Sequence, residues 1–197
     1  GPISLREALI KSVNIVSIKL LRELGIEKSH EYLDNFGFNS SRLPKDLSLA
    51  LGSGNFSPAE MVRAYSVIPS RGFIPDIQFV HSIKDRQGNE IFSQTEIDSQ
   101  KTYKDISAFP WLDTIEMNVK RPYYILSPLK INKRVIDERV AFLMEDILKD
   151  FLKNGVAGRK SEFLNRDDIG GKTGTTNDSV STWFSGFHKN LVTTVWV

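Results

Sequence analysis

The segment RVIDERVAFLMEDILKDFLKNG, residues 134–155, places Val140, Leu143, Met144, Ile147, Leu148 and Phe151 on one face at helical spacing, and Gly155 ends it. A helix with so broad an apolar face has to cover something. The C-terminal residues supply the partner: DIGGKTGTT, TWFSGFHK and LVTTVWV are three short runs rich in β-branched and aromatic residues, separated by turn-prone residues, the pattern of an antiparallel meander. A helix and strands segregated along the chain predict an α+β fold, an antiparallel sheet flanked by helices. The last run ends on the apolar Val197, a strand edge that invites a partner.

Upstream, helix signals recur. Ser4 and Glu7 have capping-box spacing and start a helix at Leu5. The pattern breaks at SVN and resumes as IVSIKLLRELG, with Ile15, Ile18 and Leu21 as an apolar stripe, Val16 and Leu20 as its flank, and Gly25 as the stop. Ser12 to Asn14 is therefore read as a connection between two helices. EKSHEYLDNFG is a further short helix. SPAEMVRAYS repeats the capping logic with Ser57, Pro58 and Glu60, and the LSLALGSG stretch before it reads as buried. FVHSIKDRQGNEIFSQ alternates around Gln87, Gly88 and Asn89 as a hairpin. Residues 95–133 show no sustained periodicity and read as an irregular excursion. Three parts result: a helical part over 1–72, the hairpin and excursion over 73–133, and the core helix with three strands over 134–197.

With 26 Lys and Arg against 24 Asp and Glu, the net charge of +2 gives no basic field for nucleic acid. The absence of cysteine removes disulfides, thiolate metal sites and a cysteine nucleophile. His30, His81 and His188 are scattered without ligand spacing, so no metal or other cofactor is expected. No run approaches the ~18 apolar residues of a membrane span.

The chemistry concentrates in GGKTGTTNDSVSTWFSGF. A lysine, a glycine and three threonine hydroxyls on one strand are the equipment of a serine acyltransferase. KTGTT followed by WFSGF and LVTTVWV, and preceded by LREALIKSVNIVSIKLLRELG and LSLALGSGNFSPAEMVRAYS, resembles the transpeptidase domain of class A penicillin-binding proteins. The resemblance covers residues 5–197 apart from the excursion, with the motifs in the family's order. It implies the penicilloyl-serine transpeptidase/β-lactamase-like fold, incomplete in this chain. It also implies an enzyme that cross-links peptidoglycan stem peptides ending in D-Ala-D-Ala by serine acyl transfer and is acylated by β-lactams. Lys172 would anchor the substrate carboxylate; Ser12 would pass a proton towards the leaving amine; Asn14 would hold the substrate backbone. Thr173, Gly174, Thr175 and Thr176 would line the acyl donor's path, the Thr175 amide as an oxyanion donor and Gly174 as room for an extended peptide. The parent would stand on the extracytoplasmic face of the membrane beside a glycosyltransferase domain.

The family's first motif, Ser-x-x-Lys, has one literal match here, Ser127 to Lys130, which comes after Ser-x-Asn and lies in the excursion; it is read as a chance match. The nucleophile is therefore expected outside this chain, and the chain alone is expected to be inactive. Glu162 to Asn165 mimics a β-lactamase motif at the wrong place, and Ser53 to Asn55 is a second Ser-x-Asn, in a turn; Ser12 and Asn14 are preferred. Where the family often has an aspartate before WF, this chain has Ser181 and Thr182. Without the resemblance, Ser12 and Asn14 would be a helix-capping pair and Lys172 a solvated edge-strand lysine; Trp183, Phe184 and Trp196 are read as core aromatics of a sheet packed on helices. The alternative function is a non-catalytic homologue or fragment that acts as a binding module.

Overall fold

The computed structural model describes residues 1–77, 79–93, 133–155, 165–176 and 181–197. Ser127 and the segment 162–164 lie outside them. The helices are α1 (Leu5–Ile10), α2 (Asn14–Leu24), α3 (Ile26–Asn35), α4 (Pro58–Ser66) and α5 (Glu138–Asn154), with short 3-10 turns at Ser40–Arg42 and Leu47–Leu51. The strands are β1 (Ser82–Lys84), β2 (Glu90–Ser93), β3 (Gly170–Thr175), β4 (Thr182–His188) and β5 (Leu191–Trp196). Two compact units result, Gly1–Ile74 with Lys133–Val197, and Pro75–Asn132.

In the second unit β1 and β2 form an antiparallel hairpin. Its turn is fastened by Asp85, whose carboxylate accepts from the amides of Gln87 and Asn89.

The first unit is an antiparallel sheet of order β3-β4-β5 with helices packed on it, α5 on β3 and α4 on β4 and β5. Strand alternation puts Gly170, Lys172, Trp183, Ser185, Phe187, Thr194 and Trp196 on one face. That face is the inward one around Ser185 and Phe187, each 2% exposed. Phe187 lies where a Cβ on Gly170 would sit, 2.6 Å away. On the opposite face Leu191 and Val195 are exposed. At the end of the ladder Val197 and Thr182 exchange both backbone hydrogen bonds.

α5 is buried along Ala141, Leu148, Phe151 and Leu152, a stripe turned from the expected one: Val140 and Leu143 are exposed. Ala141 packs with Val67, Ile74 and Ile136 in the buried cluster, and this contact turns the stripe towards position 141. The chain leaves and rejoins this core at an antiparallel bridge between Phe73 and Arg134, and Gly72 allows the close approach. Gly72 has φ +94°, and a Cβ there would stand 2.1 Å from the Ile136 carbonyl oxygen. Across α5, Arg6 of α1 binds Asp146 at 2.5 Å and also Asp150.

Three further expectations are corrected. The 3-10 turn Leu47–Leu51 is not buried, and Leu51 is exposed, because one side of this turn borders an open cleft. In α2 only Leu21 is buried, while Ile15 and Leu20 are exposed. Ser4 caps α1, but Glu7 does not reciprocate; its carboxylate turns to Lys11 at 2.7 Å, so the full capping box forms only at Ser57 and Glu60. Among the described residues no helix is long and apolar enough to cross a membrane.

Candidate active site

α1 ends in a tight reversal. The Val13 amide donates to the Ala8 carbonyl and the Ser12 amide to the Leu9 carbonyl, the paired bonds of a Schellman motif, with Ser12 at the left-handed position (φ 52°). Glycine is the usual residue there; a serine costs roughly 1 kcal/mol of strain. The capping explanation for Ser12 and Asn14 fails on geometry, because the N-cap of α2 is Val13 and no side chain caps it. The reversal instead holds the Ser12 hydroxyl against β3. Lys172 Nζ donates to Ser12 Oγ at 2.6 Å across 160 residues of sequence, and to the Thr173 carbonyl at 2.9 Å.

Lys172 is half-buried rather than solvated. Its ammonium sits 4.4 Å from the centroid of the Phe151 ring, a cation–π contact from the fully buried aromatic of α5. Burial holds its pKa below the usual lysine value. Opposite it on β4, Ser185 is satisfied by Thr194 at 2.9 Å.

The edge of β3 is the second component. The Thr176 amide donates to the Ser181 carbonyl at 3.1 Å, so residue 176 points its backbone at β4. Antiparallel alternation then turns the backbone groups of Thr173 and Thr175 to the other edge, which has no strand partner among the described residues. A Cβ on Gly174 would meet only the Trp183 Cβ, at 3.7 Å, leaving the strand accessible at this point.

Both components open into a cleft of ≈ 590 Å³. It is lined by Asn14, the segment 172–176, residues 51–56, and Met61 and Tyr65 of α4. Asn14 has no side-chain hydrogen bond among the described residues and is free for a ligand. Lys172 is the one charged group among the described lining residues, and no carboxylate is among them. A negatively charged group is the ligand this field favours.

The structure thus brings Ser12, Asn14, Lys172 and the 173–176 segment to one place. It also brings Ser53 to Asn55 into the same cleft, but Ser53 donates to Ser48 at 2.5 Å, while Lys172 binds Ser12. Sequence reasoning misses Phe151 beneath the lysine, and Tyr65 and Met61, whose helical spacing signals only packing. The tryptophans are expected in the core, yet Trp196 is exposed: it stacks on Trp183 with centroids 5.9 Å apart, and both indole N–H groups donate to Ser181 Oγ.

Helices around an antiparallel meander, with a lysine on its edge strand bonded to a serine and an asparagine lining the same cleft, make this a domain of the penicilloyl-serine transferase class. The chain belongs to the penicillin-binding protein transpeptidase domain family, whose model matches residues 1–196. It is 35% identical to penicillin-binding protein 1A of Pseudomonas aeruginosa and 33% identical to that of Escherichia coli K12, in each case over 100% of this chain. It spans 26% and 27% of those relatives' lengths. The crystal structure of penicillin-binding protein 1A from Haemophilus influenzae superposes with a TM-score of 0.77 at 31% identity, covering 100% of this chain and 30% of that one.

Proposed function

We propose that this chain is the substrate-holding part of a peptidoglycan D,D-transpeptidase that transfers the acyl group of a D-Ala-D-Ala stem peptide through a serine ester and is acylated by β-lactams. The observation that carries the reading is the Lys172–Ser12 hydrogen bond of 2.6 Å, which joins the two motifs at the edge of an open cleft.

In this mechanism the acyl donor lies along the free edge of β3 as an added strand, bonding to the backbone of Thr173 and Thr175. Lys172 draws its terminal carboxylate, and Asn14 donates its amide to a backbone carbonyl. As the serine oxygen bonds to the scissile carbonyl carbon, the carbonyl π electrons move to oxygen, and the Thr175 amide donates to that oxyanion. Collapse of the intermediate breaks the C–N bond. Ser12, polarised by the Lys172 ammonium on its oxygen, delivers a proton to the departing amine of D-alanine and is re-protonated by the relay that took the nucleophile's proton. The acyl-serine is then attacked by the amine of a neighbouring stem peptide, with the same groups acting in reverse. The nucleophile is assigned to no residue of this chain, and Ser127 is not proposed for it. The active protein works on the extracytoplasmic side of the membrane, next to a glycosyltransferase domain.

The test is labelling with a fluorescent penicillin followed by a denaturing gel. The full-length polypeptide that carries the chain is expected to show a covalent band, lost on competition with unlabelled penicillin, and the 197 residues alone none. An unlabelled full-length protein would return the reading to a non-catalytic binding module. A band on the chain alone would place the nucleophile within it.

A further inference from the structure

The two indole N–H groups that converge on Ser181 fix what its hydroxyl can do. Trp183 Nε1 donates to Ser181 Oγ at 3.1 Å and Trp196 Nε1 donates to it at 2.9 Å. A hydroxyl has two acceptor lone pairs and one proton, and an indole N–H can only donate. Both lone pairs are therefore engaged, and the proton is the only hydrogen-bonding capacity left. Among the described residues nothing accepts it. The main chain of Ser181 is held too: its carbonyl accepts from the Thr176 amide, and its own amide donates to Thr176 Oγ1, both at 3.1 Å. Ser181 lines the cleft.

We propose that Ser181 is a specificity-determining residue of this site, a hydroxyl locked as a donor that contacts a carboxylate or carbonyl oxygen upstream of the scissile bond of the bound peptide and disfavours an ammonium there. The inference rests on the reading of the cleft as an acyl-donor site. It agrees with the lining, where Lys172 is the one charged group among the described residues. A strand rises about 3.4 Å per residue, so Thr176, beside Ser181, stands roughly 14 Å along β3 from Lys172. A peptide laid antiparallel on the free edge of β3 with its carboxylate at Lys172 would bring its fourth residue from the end level with Ser181, which lies on the β4 side, so the contact is made by a long side chain of the third or fourth residue reaching past β3. An aspartate at this position would still accept from both indoles, yet could offer the ligand only acceptors, so the serine inverts the polarity of this part of the site.

The experiment uses the full-length protein and two peptides that end in D-Ala-D-Ala and differ only at the third residue from the end, whose side chain bears a carboxylate in one and an ammonium in the other. Each competes against fluorescent-penicillin labelling. The wild type is expected to favour the carboxylate peptide by about tenfold, the worth of a hydrogen bond to a charged group. Ser181→Thr keeps this ratio, Ser181→Ala brings it towards one, and Ser181→Asp reverses it. The ratio is insensitive to a general loss of active protein. Equal ratios in all four proteins would overturn the proposal. So would a Ser181→Ala protein that loses both peptides equally while Ser181→Asp retains the wild-type ratio, since that pattern means only that the indoles need an acceptor. A wild type that takes no penicillin label at all overturns the acyl-donor reading itself, a separate result.

Discussion

Ser12 stands where the backbone favours glycine, and its hydroxyl is the group that Lys172 meets. Ser12→Gly relieves about 1 kcal/mol of left-handed strain and forfeits a hydrogen bond of about the same size, so unfolding free energy is expected to stay within about 1 kcal/mol of wild type. Acylation by penicillin in the full-length protein should nevertheless fall by roughly 100-fold or more, the usual cost of losing a proton-transfer group. Denaturant titration and stopped-flow acylation read the two quantities apart; a large loss of stability, or unchanged acylation, contradicts the assignment. Gly174→Ala works the same way from the strand side. Its new methyl meets only the Trp183 Cβ at 3.7 Å, so the fold should tolerate it, while a ligand lying on β3 should not. Unaltered acylation by this variant would mean that the ligand does not pass over Gly174. The sequence singles out both positions because motif chemistry is local in residue type. It cannot reveal that Ser12 is strained or that Ser181 is doubly bonded, since those facts depend on a backbone reversal and on two indoles from different strands.

Elements are legible where their signals are local. Ser57, Pro58 and Glu60 announce α4, and the structure has the reciprocal bonds, Ser57 Oγ accepting from the Glu60 amide at 3.2 Å and Glu60 accepting from the Ser57 amide at 2.8 Å. Glu60 also pairs with Arg42. Ser57→Ala is expected to cost about 1 kcal/mol in urea unfolding. Ser4→Ala should cost less, because Glu7 does not return the bond. Equal losses would mean that the reciprocal half of the box contributes nothing. Where an element's packing depends on what it meets, the sequence misleads. Large side chains define the expected face of α5, and periodicity cannot say that a small alanine belongs to the buried cluster. Likewise the 3-10 turn at Leu47–Leu51 is apolar enough to look like core, yet it borders the cleft.

At the scale of the molecule, proton binding ties the site to stability. Asp137, the N-cap of α5, is held at about 2 chiefly by its hydrogen bonds with Arg139, and Asp168 at about 2 by Arg166. A carboxyl depressed in the folded state contributes stability that is complete above its unfolded value of 3.8 and is lost as pH falls towards about 2. Both groups are exposed, so salt should weaken this acid limb. Lys172 acts at the other end with the opposite consequence. Burial lowers its pKa below 10.5, so the unfolded chain holds the proton more tightly, and stability rises with pH between the folded value and 10.5. Tyr65, pushed up to about 12 by burial, sets the far limit: its contribution is present below 10 and disappears as pH climbs to about 12. Chemical denaturation across pH should therefore give a shallow, salt-sensitive acid fall, a gentle rise on the approach to 10.5, and a decline as pH climbs to about 12. Lys172→Met should flatten the alkaline rise and leave the acid limb in place, at the cost of carboxylate binding in the cleft. An alkaline rise that survives this substitution would show that Lys172 is not desolvated in the folded protein, and the case for a charged anchor held ready beside Ser12 would fall with it.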